Sequence, residues 1–162
     1  ANALPVLRRD DVKELFQRQA VISPVELESR YEVYSEQYTL AVEVEAKVAL
    51  NIVRTQISPA VQKHLGSLAR SISPQQAVGL NPDQRTQQYA AELQQRMQDQ
   101  INALDDELHQ LHHGDTTASM NHAANVLLPR LLQLRDVVDG LEGLVDDDRW
   151  PLPSYREMLF VS

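Results

Sequence analysis

The stretch LQQRMQDQINALDDELHQL, Leu93 to Leu111, places apolar side chains at Leu93, Met97, Ile101, Leu104, Leu108 and Leu111, with mostly polar residues between them. From Met97 onward the steps are 4, 3, 4 and 3. That spacing returns each apolar group to one narrow stripe of a helix, the seam of a coiled coil, whereas a half-buried strand would alternate every second residue. A second seam follows at Leu127, Leu131, Leu134, Val138, Leu141 and Val145. The short segment Gly114-Asp115 separates the two, so an antiparallel helical hairpin is predicted. The first helix of that pair is expected from Pro82 to His113, with Tyr89 on its inner face and Gly114 as its C-cap. The second is expected from about Thr117, interrupted at Pro129.

Three helix starts share one pattern upstream. Ser23-Pro24-Val25-Glu26 offers a hydroxyl cap, a proline at the first helical position and a carboxylate reaching back. Ser73-Pro74-Gln75-Gln76 and Asn81-Pro82-Asp83-Gln84 repeat it with glutamine. An N-terminal helix is expected over Asp10 to Gln19, with Val12, Leu15 and Phe16 inward. The helix beginning at Pro24 carries Leu27, Tyr31, Tyr34, Tyr38, Val42, Val48, Ile52 and Leu65. Pro59 should kink or break it near Ile57. Ser71 to Asn81 is expected to be a short connection. The fold class is therefore all-α, an antiparallel bundle of long, proline-kinked helices over residues 1–145. An extended aromatic tail, residues 146–162, completes the same domain.

Composition narrows function by exclusion. The chain has 162 residues, enough for one domain that buries about 70% of its unfolded surface. Fifteen Lys and Arg face 23 Asp and Glu, for a net charge of −8, which disfavours nucleic acid and anionic membranes. There is no Cys, hence no disulfide and no thiolate chemistry, and a reducing cytoplasm is expected. No apolar run approaches the roughly 20 residues that span a bilayer. The chain starts at Ala1 without Met, as expected of a segment of a longer protein or after Met removal.

No Gly-rich phosphate loop, nucleophile elbow or dinucleotide fingerprint occurs, so no catalytic and no cofactor-binding residue is assigned. His109, His112 and His113, beside Asp105, Asp106 and Glu107, could share a metal, but histidines in a last helical turn also complement the helix dipole. Asp146-Asp147-Asp148 reads as a solvated acidic turn, because adjacent carboxylates do not converge on one ion. No metal site is assigned. Tyr31, Tyr34 and Tyr38 could line a pocket, yet at helical spacing they read as core. Arg54 and Gln56 are either exposed or contact a partner. Trp150, Pro151, Pro153, Tyr155, Leu159 and Phe160 concentrate scarce aromatic and proline residues near the end of the chain. They are expected to form a clasp, stiffened by proline and docked on a neighbouring surface.

These segments resemble the C-terminal region of type III glutamine synthetase. The similarity runs through Leu4-Pro5-Val6-Leu7, Glu28-Ser29-Arg30-Tyr31-Glu32-Val33-Tyr34 and Ile57-Ser58-Pro59-Ala60-Val61. It continues through Leu134-Arg135-Asp136-Val137-Val138-Asp139-Gly140-Leu141-Glu142 to Trp150-Pro151-Leu152-Pro153-Ser154-Tyr155. Gly140 and Gly143 stand where the family shows a long unbroken helix. The resemblance implies a parent enzyme of glutamine biosynthesis that joins ammonia to glutamate using ATP with Mg or Mn. Its catalytic groups would lie in a separate N-terminal domain. It further implies a cytoplasmic, dodecameric homo-oligomer in which this segment, inactive alone, packs against that domain and other subunits. The alternative is a free-standing helical interaction module with no activity.

Overall fold

In the computed structural model, the two seams lie on helices as far as Leu108 and Leu141, with Leu111 and Val145 falling just beyond the helix ends, and the described chain is 82% helical with no strand. The structure describes residues 1, 3–111, 114–153 and 155–159, without the side chains of residues 73, 155 and 156. The helices are α1 (Asp10–Arg18), α2 (Pro24–Ile52), α3 (Ser58–Ala77), α4 (Arg85–His109), α5 (Thr116–His122), α6 (Leu128–Glu142) and α7 (Tyr155–Leu159). A 3-10 helix, Leu4–Arg8, precedes α1, and another, Asp147–Arg149, follows α6. The all-α expectation holds.

The chain forms two compact units. One comprises Ala1–Val48 and Leu104–Leu131; the other comprises Ala49–Ala103 and Leu132–Ser162. The first has a core of Leu27, Tyr31, Val42, Ala46, Leu104, Met120, Ala123 and Leu127. The second buries Leu50, Val53, Ile57, Val61, Leu93, Met97, Ile101, Leu134, Val138, Leu141 and Val145. In this second unit Gly140 does not end α6. Its missing Cβ leaves room for Leu93, whose Cδ1 would lie 3.4 Å from a methyl group there.

Each proline perturbs its helix where expected, without ending it. Neither Pro59 nor Pro129 breaks its helix; each is preceded by a π-turn, Val53–Ile57 and Ala123–Leu127. Ser58 N–H donates to Val53 O and Leu128 N–H to Ala123 O, closing wide turns. A proline ring collides with the carbonyl four residues earlier, here Thr55 and Asn125. Widening the turn carries that carbonyl aside, and the helix continues. Ile57 and Ser58 keep helical dihedrals on the way through.

The capping pattern gives one full success and two corrections. At α2 the Ser23 hydroxyl accepts the Glu26 N–H at 3.2 Å, and Glu26 Oε2 accepts the Ser23 N–H at 2.7 Å. Ser73-Pro74 starts nothing, because Pro74 lies inside α3, which runs on to Ala77. The true stop is Gly79, at φ 83°, with Gly79 N–H on Gln76 O and Leu80 N–H on Gln75 O, both 3.0 Å. The connection therefore spans residues 78–84 rather than Ser71 to Asn81. At the third pattern α4 begins at Arg85, because Asp83 Oδ1 accepts the Arg85 N–H at 3.0 Å and fixes the entry there. Its other end also falls short of His113, with α4 ending at His109. Asp115, read as turn, caps α5, accepting the Thr117 and Ala118 N–H groups at 2.9 and 3.0 Å.

Several expected inner residues face outward. The inner face of α2 runs Leu27, Tyr31, Ser35, Thr39, Val42, Ala46 and Leu50, so Tyr34 and Val48 are left exposed. Tyr89 and Leu15 are exposed too, and α1 has no fully buried residue.

Two predictions follow from the caps. Ser23→Ala should cost about 1 kcal/mol in denaturant unfolding. The Ser23 backbone N–H, then its hydroxyl, hold the Glu26 carboxyl below the usual glutamate range, with a further contribution from Arg30. Its stabilisation is full above the ordinary glutamate pKa and is lost as pH falls through the lower folded-state value. The Tm difference between wild type and Glu26→Gln should therefore close on acidification. The second prediction compares two helix ends. Ala20 sits at φ 51° in the same type of stop as Gly79, with Val21 N–H on Phe16 O at 3.1 Å. Ala20→Gly should stabilise by about 1 kcal/mol and Gly79→Ala destabilise by a similar amount.

Candidate functional site

In the first unit, two of the sequence segments that carry the family resemblance meet. Leu4-Pro5-Val6-Leu7 forms the 3-10 turn that ends on Arg8, and Glu28 to Tyr31 lies near the start of α2. The Arg8 guanidinium sits over the Tyr31 ring, 4.7 Å from its centroid. Its Nη2 lies 2.7 Å from Glu28 Oε1, and its Nη1 donates to Thr117 Oγ1 at 3.4 Å. The Tyr31 hydroxyl shares a 3.0 Å hydrogen bond with Thr117 Oγ1. Lys13 Nζ is 3.7 Å from Glu28 Oε2. Desolvation works to lower the Arg8 pKa, but the Glu28 charge, followed by Tyr31, outweighs it and leaves the pKa raised.

Arg8, Glu28, Tyr31 and Thr117 line an open cleft of about 650 Å³ with Glu32, Gly114, Asp115 and Thr116. Its chemistry is that of a joint. Arg8 is matched by Glu28, and Tyr31, only 2% exposed, is anchored at its phenol end. No nucleophile stands against a base here. The tyrosine series divides: Tyr31 is core, Tyr38 is half-buried and Tyr34 is exposed.

The other candidates are placed as follows. His109 Nδ1 lies 2.7 Å from the Asp105 carbonyl of its own helix, while His112 and His113 fall outside the described residues. His122 Nε2 reaches the Glu107 carbonyl at 3.1 Å and its carboxylate at 3.6 Å, tying α5 to the end of α4. Among the described residues no three histidines or carboxylates converge on a metal position. Arg54 and Gln56 are exposed. In the second unit Trp150 is half-buried, and its backbone N–H bonds to Asp146 O at 3.1 Å and Asp147 O at 3.2 Å. Pro151 and Pro153 are exposed, Leu152 is half-buried, and Leu159 on α7 is 70% exposed. The Tyr155 side chain and all of Phe160 fall outside the described residues.

Sequence reasoning passed over His64. Only 4% exposed, it has neither ring nitrogen hydrogen-bonded, and its Nδ1 lies 3.6 Å from Asp146 Oδ1. Asp146 also holds Arg149 at 3.1 Å, so its carboxylate fixes the turn before Trp150. Arg8 was missed because its partner Thr117 is 109 residues away and no spacing rule connects them.

Residues 1–76 match the glutamine synthetase C-terminal domain family. The whole chain is similar to a type-3 glutamine synthetase of Dictyostelium discoideum, 31% identical over 169 aligned residues, covering 99% of this chain and 23% of that protein. A glutamine synthetase of Bacteroides fragilis (strain YCH46) is 26% identical over 151 residues, covering 86% of this chain and 20% of its own length. The chain thus spans under a quarter of the relatives it matches. The resemblance read from the sequence is borne out, and no helix among the described residues is long and apolar enough to cross a membrane.

The joint yields a graded prediction. Tyr31→Phe, which loses only the phenol bond, should cost about 0.5–1.5 kcal/mol. Tyr31→Ala should cost about 3–5 kcal/mol, the range for truncating a buried aromatic. Urea titrations should show both as midpoint shifts at an unchanged slope.

Proposed function

We propose, from the match of residues 1–76 to the glutamine synthetase C-terminal domain family, that this chain is the helical C-terminal domain of a longer glutamate–ammonia ligase. The observation that carries this reading is similarity to a type-3 enzyme along 99% of the chain while covering only 23% of that enzyme. In this reading ATP, divalent metal, glutamate and ammonia bind elsewhere in the longer polypeptide. Among the described residues no three metal-ligating side chains converge. The domain's role is structural: it supplies helical surface for packing on the catalytic part and between subunits of a cytoplasmic homo-oligomer. Two features support a packing role. Glu28 and Tyr31, from a segment that carries the family resemblance, are held by Arg8 and Thr117 in a joint rather than in a reactive centre. The long helices carry their cores through two proline positions without a break.

The isolated chain should show no ATP-dependent formation of glutamine, with Mg or Mn, in a coupled assay. The longer polypeptide should show it, and removing the segment corresponding to this chain should lower its assembled mass by sedimentation. Metal-dependent turnover by the purified 162-residue chain would overturn the structural assignment.

A further inference from the structure

Helix α2 is apolar on two opposite sides. Val33, Leu40, Val44 and Val48 are 44%, 57%, 50% and 52% exposed, well away from the buried line through Tyr31, Ser35, Val42 and Ala46. At 3.6 residues per turn these four and Gln37 fall within a sector of about 80°. Their steps, 4, 3, 4 and 4, follow a coiled-coil seam from Val33 to Val44, and Val48 continues the face one turn on. A helix with apolar residues on opposite sides is normally covered on both. Beside the seam a groove of about 400 Å³, bordered by Val33, Glu36, Leu40, Thr116 and Ser119, is shaped to receive a protruding side chain.

We propose that this outer face of α2 docks an amphipathic helix with a basic flank, supplied by the remainder of the same longer polypeptide; the inference rests on the functional reading above. Charge selects the chemistry of the occupant. Exposed Glu32 and Glu36 follow one edge of the seam, where Glu43 is held by Lys47 at 2.6 Å. A second copy of the face would oppose like charges, whereas lysine or arginine at the flanking positions of a partner helix meets them. Extent selects the source. Four side chains already half covered offer far less than the roughly 800 Å² per partner of a stable association between separate chains. A tethered segment works at an effective concentration near millimolar, where so small a face suffices.

The chain has no cysteine, so one thiol reports on the face. Val44→Cys, and independently Leu40→Cys, are made in the isolated chain and in the longer polypeptide, and N-ethylmaleimide labelling is followed peptide by peptide. Labelling should be at least tenfold slower in the longer polypeptide, and Glu36→Lys there should speed it severalfold. Carbodiimide coupling of Glu36 to a lysine should give isotopically pure products in oligomers assembled from mixed ¹⁴N and ¹⁵N chains. Equal labelling rates in a polypeptide that retains ligase activity would overturn the docking alone. Mixed-isotope products, or a sedimenting dimer of the isolated chain with protected thiols, would assign the face to another subunit and overturn it too. Absence of any longer polypeptide would remove both this proposal and the functional reading.

Discussion

Every backbone carbonyl in a buried helix needs a partner, and two prolines stand where the long helices cannot stop. Pro59 follows Ile57 and Ser58, with Val61 and His64 still to be buried on the same face. Pro129 is likewise followed by Leu134, Val137 and Leu141. A break at either site would strand those residues, so the chain spends one extra residue on a wide turn instead. The buried positions 53, 57 and 61, and 123, 127 and half-buried 131, step by four through these turns. A plain α-helix would drift off the face at that spacing; the wider turn keeps it in phase. The cores of both units depend on this accommodation.

Much of this could be read from the sequence, and the failures have specific causes. The seam from Leu93 to Leu104 and that from Leu127 to Val145 were legible because long apolar groups recur at helical spacing. The inner line of α2 was less so, since it uses Ser35, Thr39 and Ala46, which a count of hydrophobic residues passes over in favour of Tyr34 and Val48. Thr39 is suited to that position because its hydroxyl donates to Ser35 O at 2.9 Å within the same helix. Ser23 and Ser73 look alike locally, yet only the first opens a helix. Upstream of Ser73 the buried face from Val61 and His64 already holds α3, and Gly79 is the residue able to end it.

The candidate site was legible in part for a similar reason. Glu28 and Tyr31 stood out within a recognisable segment, but their meaning depends on Arg8 and Thr117, which only the fold brings near. The result changes what the family resemblance signifies physically. Of its specific segments, Glu28 to Glu32 lies where the chain is fastened, since Glu28 and Tyr31 both meet Arg8.

The fastening at Arg8 has a consequence for how the molecule comes apart. Neither the turn Leu4–Arg8 nor α1 has a fully buried residue; this arm rests on half-buried Leu4, Leu7, Val12 and Phe16. Its long-range polar anchors are Arg8 and Lys13 on Glu28, and Arg8 on Thr117. A segment held by little apolar area and a few partly exposed charges opens at lower free energy than the core behind it. Amides of α1 will therefore exchange with solvent in excursions that leave Leu27 and Met120 packed. Added salt will make those excursions more frequent by screening Glu28.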